Sequence, residues 1–417
     1  MKHFLFCLRH FNDIDNITPA IYFLLERRQV RVTVLIYELN YAYRKDRSLK
    51  FLSLKFPDRF DVVWIGDFAS YPYLVARSRL FRFAYRTMRS LLGHQFLHLA
   101  LRQPGGSAEI VHGVEQIIER GNLPDTAVFD INRSHLIQGL VDVLRALGVS
   151  RVVALPVSPW ANYNVLRQID FIKIDAKHFC RNHDYRVFDQ IAQVDRFYTA
   201  SVSRFFNLLG RPDPFEGKAV ILGSLRYSKE WLKIRDGFLP APSDDGKTSG
   251  RLKILVLPSH PKNNSFWDEY LRTLSFLDQF KNYDVTVRPH TRYGHGHKGL
   301  PSRFVLSNEQ TSLLIANTDV VLFWSTSVAL EGFQREKKMV CLDYLNGNPS
   351  IYSHFQAGVM CRSRDDLMAF LLTFPEHEHH VLDNISGSSN LLSEVVHGGQ
   401  GAGMIDRYLE FIEGKSR

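Results

Sequence analysis

Short apolar runs recur along the chain, and between them apolar positions repeat at helical rather than strand spacing. His3 to Leu8 reads as a first strand. The polar loop RHFNDID, Arg9 to Asp15, follows it, and Thr18-Pro19 opens a helix running to about Arg28. Val30 to Tyr37 and Asp61 to Ile65 are expected as strands, and Tyr73 to Arg102 is helical in pattern, with Arg79, Arg82, Arg86 and Arg89 on one face. Thr126 to Ile131 is a buried strand followed by NRSH (Asn132 to His135), a helix from Leu136 to Leu147, a Gly148 stop and a strand from Arg151 to Leu155. Arg196 to Thr199 is expected as a strand and Ser201 to Leu209 as a helix, and the strand Lys218 to Leu222 runs into GSLRYSKEW, Gly223 to Trp231. Strand and helix alternate throughout, which predicts a doubly wound parallel sheet.

The pattern breaks once. Residues 240–250, PAPSDDGKTSG, carry turn formers and no apolar periodicity, and the alternation restarts with the strand Leu252 to Leu257, the loop PSHPKNN, a helix from Phe266 to about Phe280 and the strand Tyr283 to Arg288. Two units are therefore expected: residues 1–239, a linker over 240–250, and residues 251–417. The clearest unit of the second half is Ala316 to Tyr344. There Val320 to Trp324 is a strand, Ser325, Thr326 and Ser327 supply hydroxyls at a helix start, Val328 to Glu336 is the helix, and Val340 to Leu342 is the next strand.

In an open parallel sheet, ligands sit beyond the carboxyl ends of the strands, where helix N-termini offer unpaired N–H groups to an anion. Ser325 to Ser327 occupy that place, and the loops carrying Ser259, His260 and Lys262 and carrying Arg288, His290 and Arg292 would reach the same edge. Cations, imidazoles and hydroxyls together suit a phosphate or pyrophosphate. Glu331, a turn into the helix, is placed to accept hydrogen bonds from vicinal sugar hydroxyls. In the first half Arg9, His10, Asp13 and Asp15 follow one strand and Asp130, Arg133 and His135 follow another. A base for an acceptor hydroxyl would come from such a loop, with His10, Asp13 and Asp15 as candidates, although either aspartate could equally cap the following helix. His377, His379 and His380 lie in FPEHEHHVLD without a cysteine partner or HExxH register, which reads better as a solvated loop than as a metal site. The Walker pattern GxxxxGK[ST] is absent.

With 417 residues the chain exceeds what one core usually organises. Hydrophobic residues make up 45% and charged residues 23%, as in ordinary globular proteins, while a formal charge of +9 and a pI near 9.3 imply an anionic partner. Cys7, Cys180, Cys341 and Cys361 are scattered with no zinc spacing, which fits a reduced, cytoplasmic chain. The opening MKHFLFCLRHFND is charged too early for a secretory signal, and no run of about 18 apolar residues occurs. Membrane contact would be peripheral, at the inner face, through the Arg79, Arg82, Arg86 and Arg89 face on anionic lipid, and the same face reads equally well as the solvated side of an ordinary helix packed on the sheet.

VTVRPHTR (Val285 to Arg292), TDVVLFWSTSVALEGFQREKKMVCLDY (Thr318 to Tyr344) and AVILGSLRYSKEW (Ala219 to Trp231) resemble the R/KPH, ADVVV…SS…EA…GKPV and GSPRY patterns of bacterial surface-polysaccharide transferases, including the CDP-glycerol glycerophosphotransferase and capsule Kdo-transferase groups. The resemblance is broad over the second half and thin over the first. It departs at Gln334-Arg335-Glu336, where a small residue and Gly usually stand, and at Lys338-Met339 in place of Lys-Pro. It implies the GT-B architecture: two Rossmann-like doubly wound domains facing a cleft, the last helix, Met404 to Glu413, crossing back to the first. It implies a transferase that uses a nucleotide-activated sugar or polyol phosphate as donor, with no separate cofactor and no metal, acting on a saccharide or lipid-linked saccharide and not on nucleic acid. Under it Arg288, His290, His260 and Ser325 to Ser327 hold phosphate, Glu331 the ribose, and the Arg9 to Asp15 loop the acceptor. UDP-N-acetylglucosamine 2-epimerase has a similar second-half pattern, so sugar-nucleotide epimerisation is the alternative, and a non-catalytic nucleotide-sugar or glycan-binding scaffold is a third reading.

Overall fold

Two parallel sheets, one of seven strands and one of six, divide the chain. The computed structural model describes residues 1–37, 41–64, 114–115, 117–118, 123–130, 135–156, 187–208, 210, 212–213, 215–240, 251–259, 265–290, 300–347, 349–374 and 385–415. The face carrying Arg79, Arg82, Arg86 and Arg89, together with Arg133, His260, Lys262, Arg292 and the tract with His377, His379 and His380, lies outside the described residues.

The first sheet contains β1 (Lys2–Leu8), β2 (Val30–Ile36), β3 (Phe60–Trp64), β4 (Thr126–Asp130), β5 (Arg151–Leu155), β6 (Gln190–Gln193) and β7 (Ala219–Ile221) in the order β3-β2-β1-β4-β5-β6-β7. On β1, Phe4, Phe6 and Leu8 enter one core layer with α1 (Phe11–Arg27), while Leu5 and Cys7 enter the opposite layer. A strand buried on both faces has no polar side, which is why it reads as an unbroken apolar run. The second sheet contains β8 (Leu252–Leu257), β9 (Tyr283–Val287), β10 (Val305–Leu306), β11 (Val320–Phe323), β12 (Lys338–Leu342) and β13 (Val359–Cys361) in the order β10-β9-β8-β11-β12-β13. Further helices are α2 (Arg47–Lys55), α3 (His135–Ala146), α4 (Arg196–Leu208), α5 (Lys229–Asp236), α6 (Trp267–Leu277), α7 (Thr311–Ala316), α8 (Ala329–Gln334), α9 (Ile351–Phe355), α10 (Arg364–Thr373), α11 (Ile385–Leu391) and α12 (Met404–Glu413). The two doubly wound sheets are the fold class that the resemblance implied. No helix among the described residues is long and apolar enough to cross a membrane.

Two local expectations are corrected. The helix expected from Thr18-Pro19 begins at Phe11, so Asp13 and Asp15 lie within α1 rather than on a loop, and Pro19 sits inside the helix. Asp13 explains the early start: its carboxylate accepts from the Arg9 backbone N–H at 3.2 Å and places negative charge in the first turn. Arg196 to Thr199, expected as a strand, is the start of α4, because Asp195 accepts from the Tyr198 N–H at 2.7 Å as a helix cap does. The strand stands earlier, at Gln190–Gln193.

The chain leaves the first sheet at residues 222–224 and comes back to the first half at 396–399. The two crossings touch: Ser224 N–H donates to the Val396 carbonyl at 2.8 Å, and the Tyr408 hydroxyl of α12 donates to the Gly223 carbonyl at 2.7 Å. After the return, α12 packs against α1 in the core of the first half, with Arg27 paired to Asp406 at 2.9 Å and Arg28 to Glu413 at 3.4 Å. Gly223 has φ +87°, and a Cβ there would run into the Val396 carbonyl. Gly401 has φ +63° with open space around it. Gly223→Ala should therefore cost about 2–4 kcal/mol, from strain and a backbone clash, against about 1 kcal/mol for Gly401→Ala, from the left-handed backbone alone. Urea denaturation of the two variants measures the difference, and equal losses would mean that the crossings are not in contact.

Candidate active site

Each sheet has a point where strand order reverses, between β1 and β4 in the first and between β8 and β11 in the second. Helices leave opposite faces there and open a crevice beyond the strand ends.

In the first half that crevice is lined by Arg9 and His10 after β1, Tyr37 after β2 and Asp130 at the end of β4. Arg9 holds two carboxylates: its Nε is 3.3 Å from Asp13 and its Nη2 is 3.4 Å from Asp130. The Tyr37 hydroxyl donates to Asp130 at 3.3 Å. Asp13 and Asp130 are fully buried, whereas the His10 ring is 31% exposed with Nδ1 3.8 Å from Asp13. Two dry carboxylates on one guanidinium leave an excess negative charge, which a retained proton cancels. Asp130 is the group pushed toward holding it: burial first, then the charge of Asp13, raises its carboxyl well above the usual range, and Arg9 offsets only part of this. Burial works against the charge of Arg9, but Asp130 and Asp13 outweigh it and keep the guanidinium protonated. Burial and then Asp130 likewise push the Cys7 thiol up, leaving it an inert core group. Asp15 is not part of this cluster. Two residues along a helix point away from each other, and Asp15 pairs instead with Arg226, from the GSLRY segment.

In the second half the loops after β9, β8 and β11 lie side by side because those strands are neighbours. Arg288 and His290 follow β9, Ser259 follows β8, and Ser325 to Ser327 follow β11. Ser325 has φ +34°, a conformation rarely adopted by a side-chain-bearing residue. Its Oγ donates to Asn346 at 2.5 Å, its carbonyl accepts from Ser259 at 3.2 Å, and the neighbouring Thr326 carbonyl accepts from the Tyr352 hydroxyl at 2.7 Å. Several partners thus over-determine a strained turn, as at many functional sites. The three hydroxyl residues do not cap α8 with their side chains. Val328 is the capping position, and the turn closes through Ala329 N–H to Thr326 and Leu330 N–H to Ser327. Arg288 donates through Nη1 to the Pro289 carbonyl at 3.0 Å, while its Nε is buried with no hydrogen-bond partner among the described residues. Burial lowers the pKa of this guanidinium, so an anion at its free edge would be stabilising.

Glu331 is placed differently from the sequence expectation. Its carboxylate is buried within protein donors: Arg235 of α5, Arg335 Nε at 2.9 Å and the Ser312 hydroxyl at 3.0 Å. Arg335 in turn donates to Asp236 at 2.9 and 2.5 Å. The contacts expected for ribose hydroxyls are thus occupied by two arginines and a serine. Arg335, four residues along the same helix, was the legible half of this arrangement. Arg235 comes from the other half of the chain and had no local signal.

No protein-family model and no curated protein matches this sequence. Solved structures do match its fold. A putative UDP-N-acetylglucosamine 2-epimerase from Listeria monocytogenes superposes with a TM-score of 0.58 at 10% identity, over 99% of this chain and 96% of that one. The UDP-GlcNAc 2-epimerase of Neisseria meningitidis bound to UDP-GlcNAc gives 0.56 at 10% identity, over 99% of both chains. The S. aureus MnaA–UDP complex gives 0.55 at 10% identity, over 100% and 98%. At this identity the likeness shows the fold.

The Glu331 cluster generates a stability prediction. Burial alone would raise this carboxyl, but Arg235 and Arg335 outweigh it and hold the group below its ordinary value of 4.5. A depressed folded-state pKa stabilises the fold above the unfolded value, and that stability is lost as pH falls through the folded value. Glu331→Gln should cost about 3–5 kcal/mol at neutral pH, the range for leaving a buried partner uncompensated. The deficit should shrink below about pH 4.5, as the wild type protonates. Urea midpoints from acid to neutral pH measure this, and a deficit independent of pH would mean that the carboxylate charge is not what Arg235 needs.

Proposed function

We propose that this chain is a nucleotide-sugar-dependent glycosyltransferase, with the donor on the second half and the acceptor on the first, acting on a cell-surface saccharide or its lipid-linked precursor. The observation that carries the reading is His10, a part-exposed imidazole backed by buried Asp13 at the switch point of the first sheet. With Asp13 near Nδ1, the other ring nitrogen is left to take a proton from an acceptor hydroxyl as that oxygen attacks the anomeric carbon of the donor. The bond from that carbon to the nucleotide phosphate breaks, and the leaving phosphate is received by Arg288, His290 and the Ser325 to Ser327 turn. Arg9, gripped by both carboxylates, fixes Asp13 and keeps a positive charge beside the acceptor oxygen.

Two supports have different weight. The fold likeness to structures holding UDP-GlcNAc and UDP supports a uridine nucleotide as ligand, and the surface-polysaccharide motifs support a saccharide acceptor. The same likeness favours 2-epimerisation as the second reading, since the matched proteins carry that name. An epimerase would act on UDP-GlcNAc alone, whereas a transferase would need an acceptor to consume it.

Proton NMR of UDP-GlcNAc incubated with the protein, with and without saccharide acceptors, separates them: a new sugar-nucleotide epimer in the absence of acceptor overturns the transferase reading. UDP binding without turnover of any sugar nucleotide would support a scaffold. On the transferase reading His10→Ala lowers turnover by about 10²–10⁴-fold, the worth of a positioned base, while UDP affinity changes little. Arg288→Ala should do the reverse, weakening UDP but leaving uridine nearly untouched, by about 1.5–3 kcal/mol in calorimetric titration.

A further inference from the structure

Between the outgoing crossing and the linker stands a short segment, residues 224–239, that is ionically fastened at both ends to opposite halves. At its start Arg226 pairs with Asp15 of α1. At its end Arg235 pairs with Glu331, and Asp236 takes Arg335, so that two adjacent residues of α5 exchange partners with Glu331 of α8 and with Arg335, the residue that closes that helix. The body of the segment is fixed too: Ser228 caps α5 by accepting from Trp231 N–H at 3.1 Å, and Trp231 packs on Tyr22 of α1 with ring centroids 5.8 Å apart. The six charges are balanced, three arginines against three carboxylates. Asp15, Arg235 and Glu331 are buried, Arg226 and Arg335 are half-buried, and Asp236 stands at an exposed rim, 45% accessible. Burial works against the charge of Arg226, yet Asp15, Tyr227 and Glu331 outweigh it.

We propose that residues 224–239 act as a strut, and that Arg226 and Arg235 are positioning residues that fix the α1 end of the first half relative to the α8 turn of the second. A buried ion pair is directional, unlike apolar contact, and it fails if either partner shifts by an ångström or two. Fastening the same short segment to α1 and to α8 therefore sets one relative orientation, where chain crossings alone would permit a range. Arg226 grips the helix that carries Asp13, and Arg235 grips the helix that follows Ser325 to Ser327. On the functional reading above, the strut sets the gap between His10 and the donor phosphate, although its existence does not depend on that reading.

Pulsed electron–electron distance measurement tests the strut directly. Nitroxides are placed at Lys50→Cys in α2 and Ser275→Cys in α6, both exposed, in a Cys180→Ser background, since Cys7, Cys341 and Cys361 are buried. The parent chain should give one narrow distance distribution. Arg226→Met and Arg235→Met should roughly double its width, as alternative orientations become populated. Asp236→Asn should change it little, because Arg335 keeps Glu331. A purely structural role would lower the melting midpoint and leave the distribution of the folded protein unchanged, and that result in folded Arg226→Met overturns the proposal. Should Arg235→Met not fold, the volume-preserving pair Arg235→Met with Glu331→Leu removes the buried charges together, and an unbroadened distribution there overturns it equally. UDP is the ligand probe. All the variants should bind it within about threefold of the parent, since neither arginine is placed at the phosphate turn. Selective loss of UDP binding in folded Arg226→Met would make that arginine a ligand contact and overturn its positioning role. Failure of the parent itself to bind UDP would sink the functional reading, while the distance measurement would still decide the strut.

Discussion

A carboxylate as deep as Glu331 cannot stay ionised unless its charge is met inside the protein, and that requirement orders much of this molecule. Arg235 and Arg335 meet it, Ser312 takes one remaining lone pair, and Asp236 satisfies the outer edge of Arg335. These partners come from three stretches of chain, α5, α7 and the end of α8, so the position of α8 follows from α5, and the position of α5 from its packing on α1. The strained Ser325 turn at the head of α8 is therefore held from below by charges and from above by Asn346, Ser259 and Tyr352.

The strands were legible because burial on both faces turns a strand into an unbroken apolar run, and β5 and β8 stand at their expected residues. Helix starts were less legible, since they depend on which side chain satisfies the first N–H groups. Thr18-Pro19 resembles a helix opening, yet Asp13 takes the Arg9 N–H and starts α1 eight residues before Pro19. Gln190–Gln193 is a short strand with polar ends, and the aromatic Phe197-Tyr198 pair beside it mimicked one. Asp130 was readable as a polar residue at a strand end. Its partnership with Asp13 was not, because only the adjacency of β1 and β4 brings the two carboxylates to one guanidinium.

The same limit applies to Glu331. Its first-turn position is compatible with facing a ligand or facing inward, and the choice was made by Arg235, far earlier in the chain. A local reading could notice Arg335 but had no means of counting two arginines. Long-range ion pairs are the class of contact that periodicity cannot reveal, since they leave no pattern in the spacing of apolar residues.

Fold alone does not choose between transfer and epimerisation, since function is carried by sites grafted onto the sheet. The choice falls to the edge beyond β1, β2 and β4, and charge bookkeeping there is informative. Inverting a carbon centre needs a group that removes a proton and one that returns it, with both in reach of the sugar. The described carboxylates of this edge, Asp13 and Asp130, are buried behind Arg9 and Tyr37, and burial pushes the Asp130 carboxyl upward, away from easy ionisation. What they present to the cleft is an imidazole with an acidic neighbour, together with a guanidinium that stays charged. On the proposed reading this arrangement makes one hydroxyl more nucleophilic beside a fixed positive charge, which favours an acceptor at this edge over a proton relay through a sugar carbon.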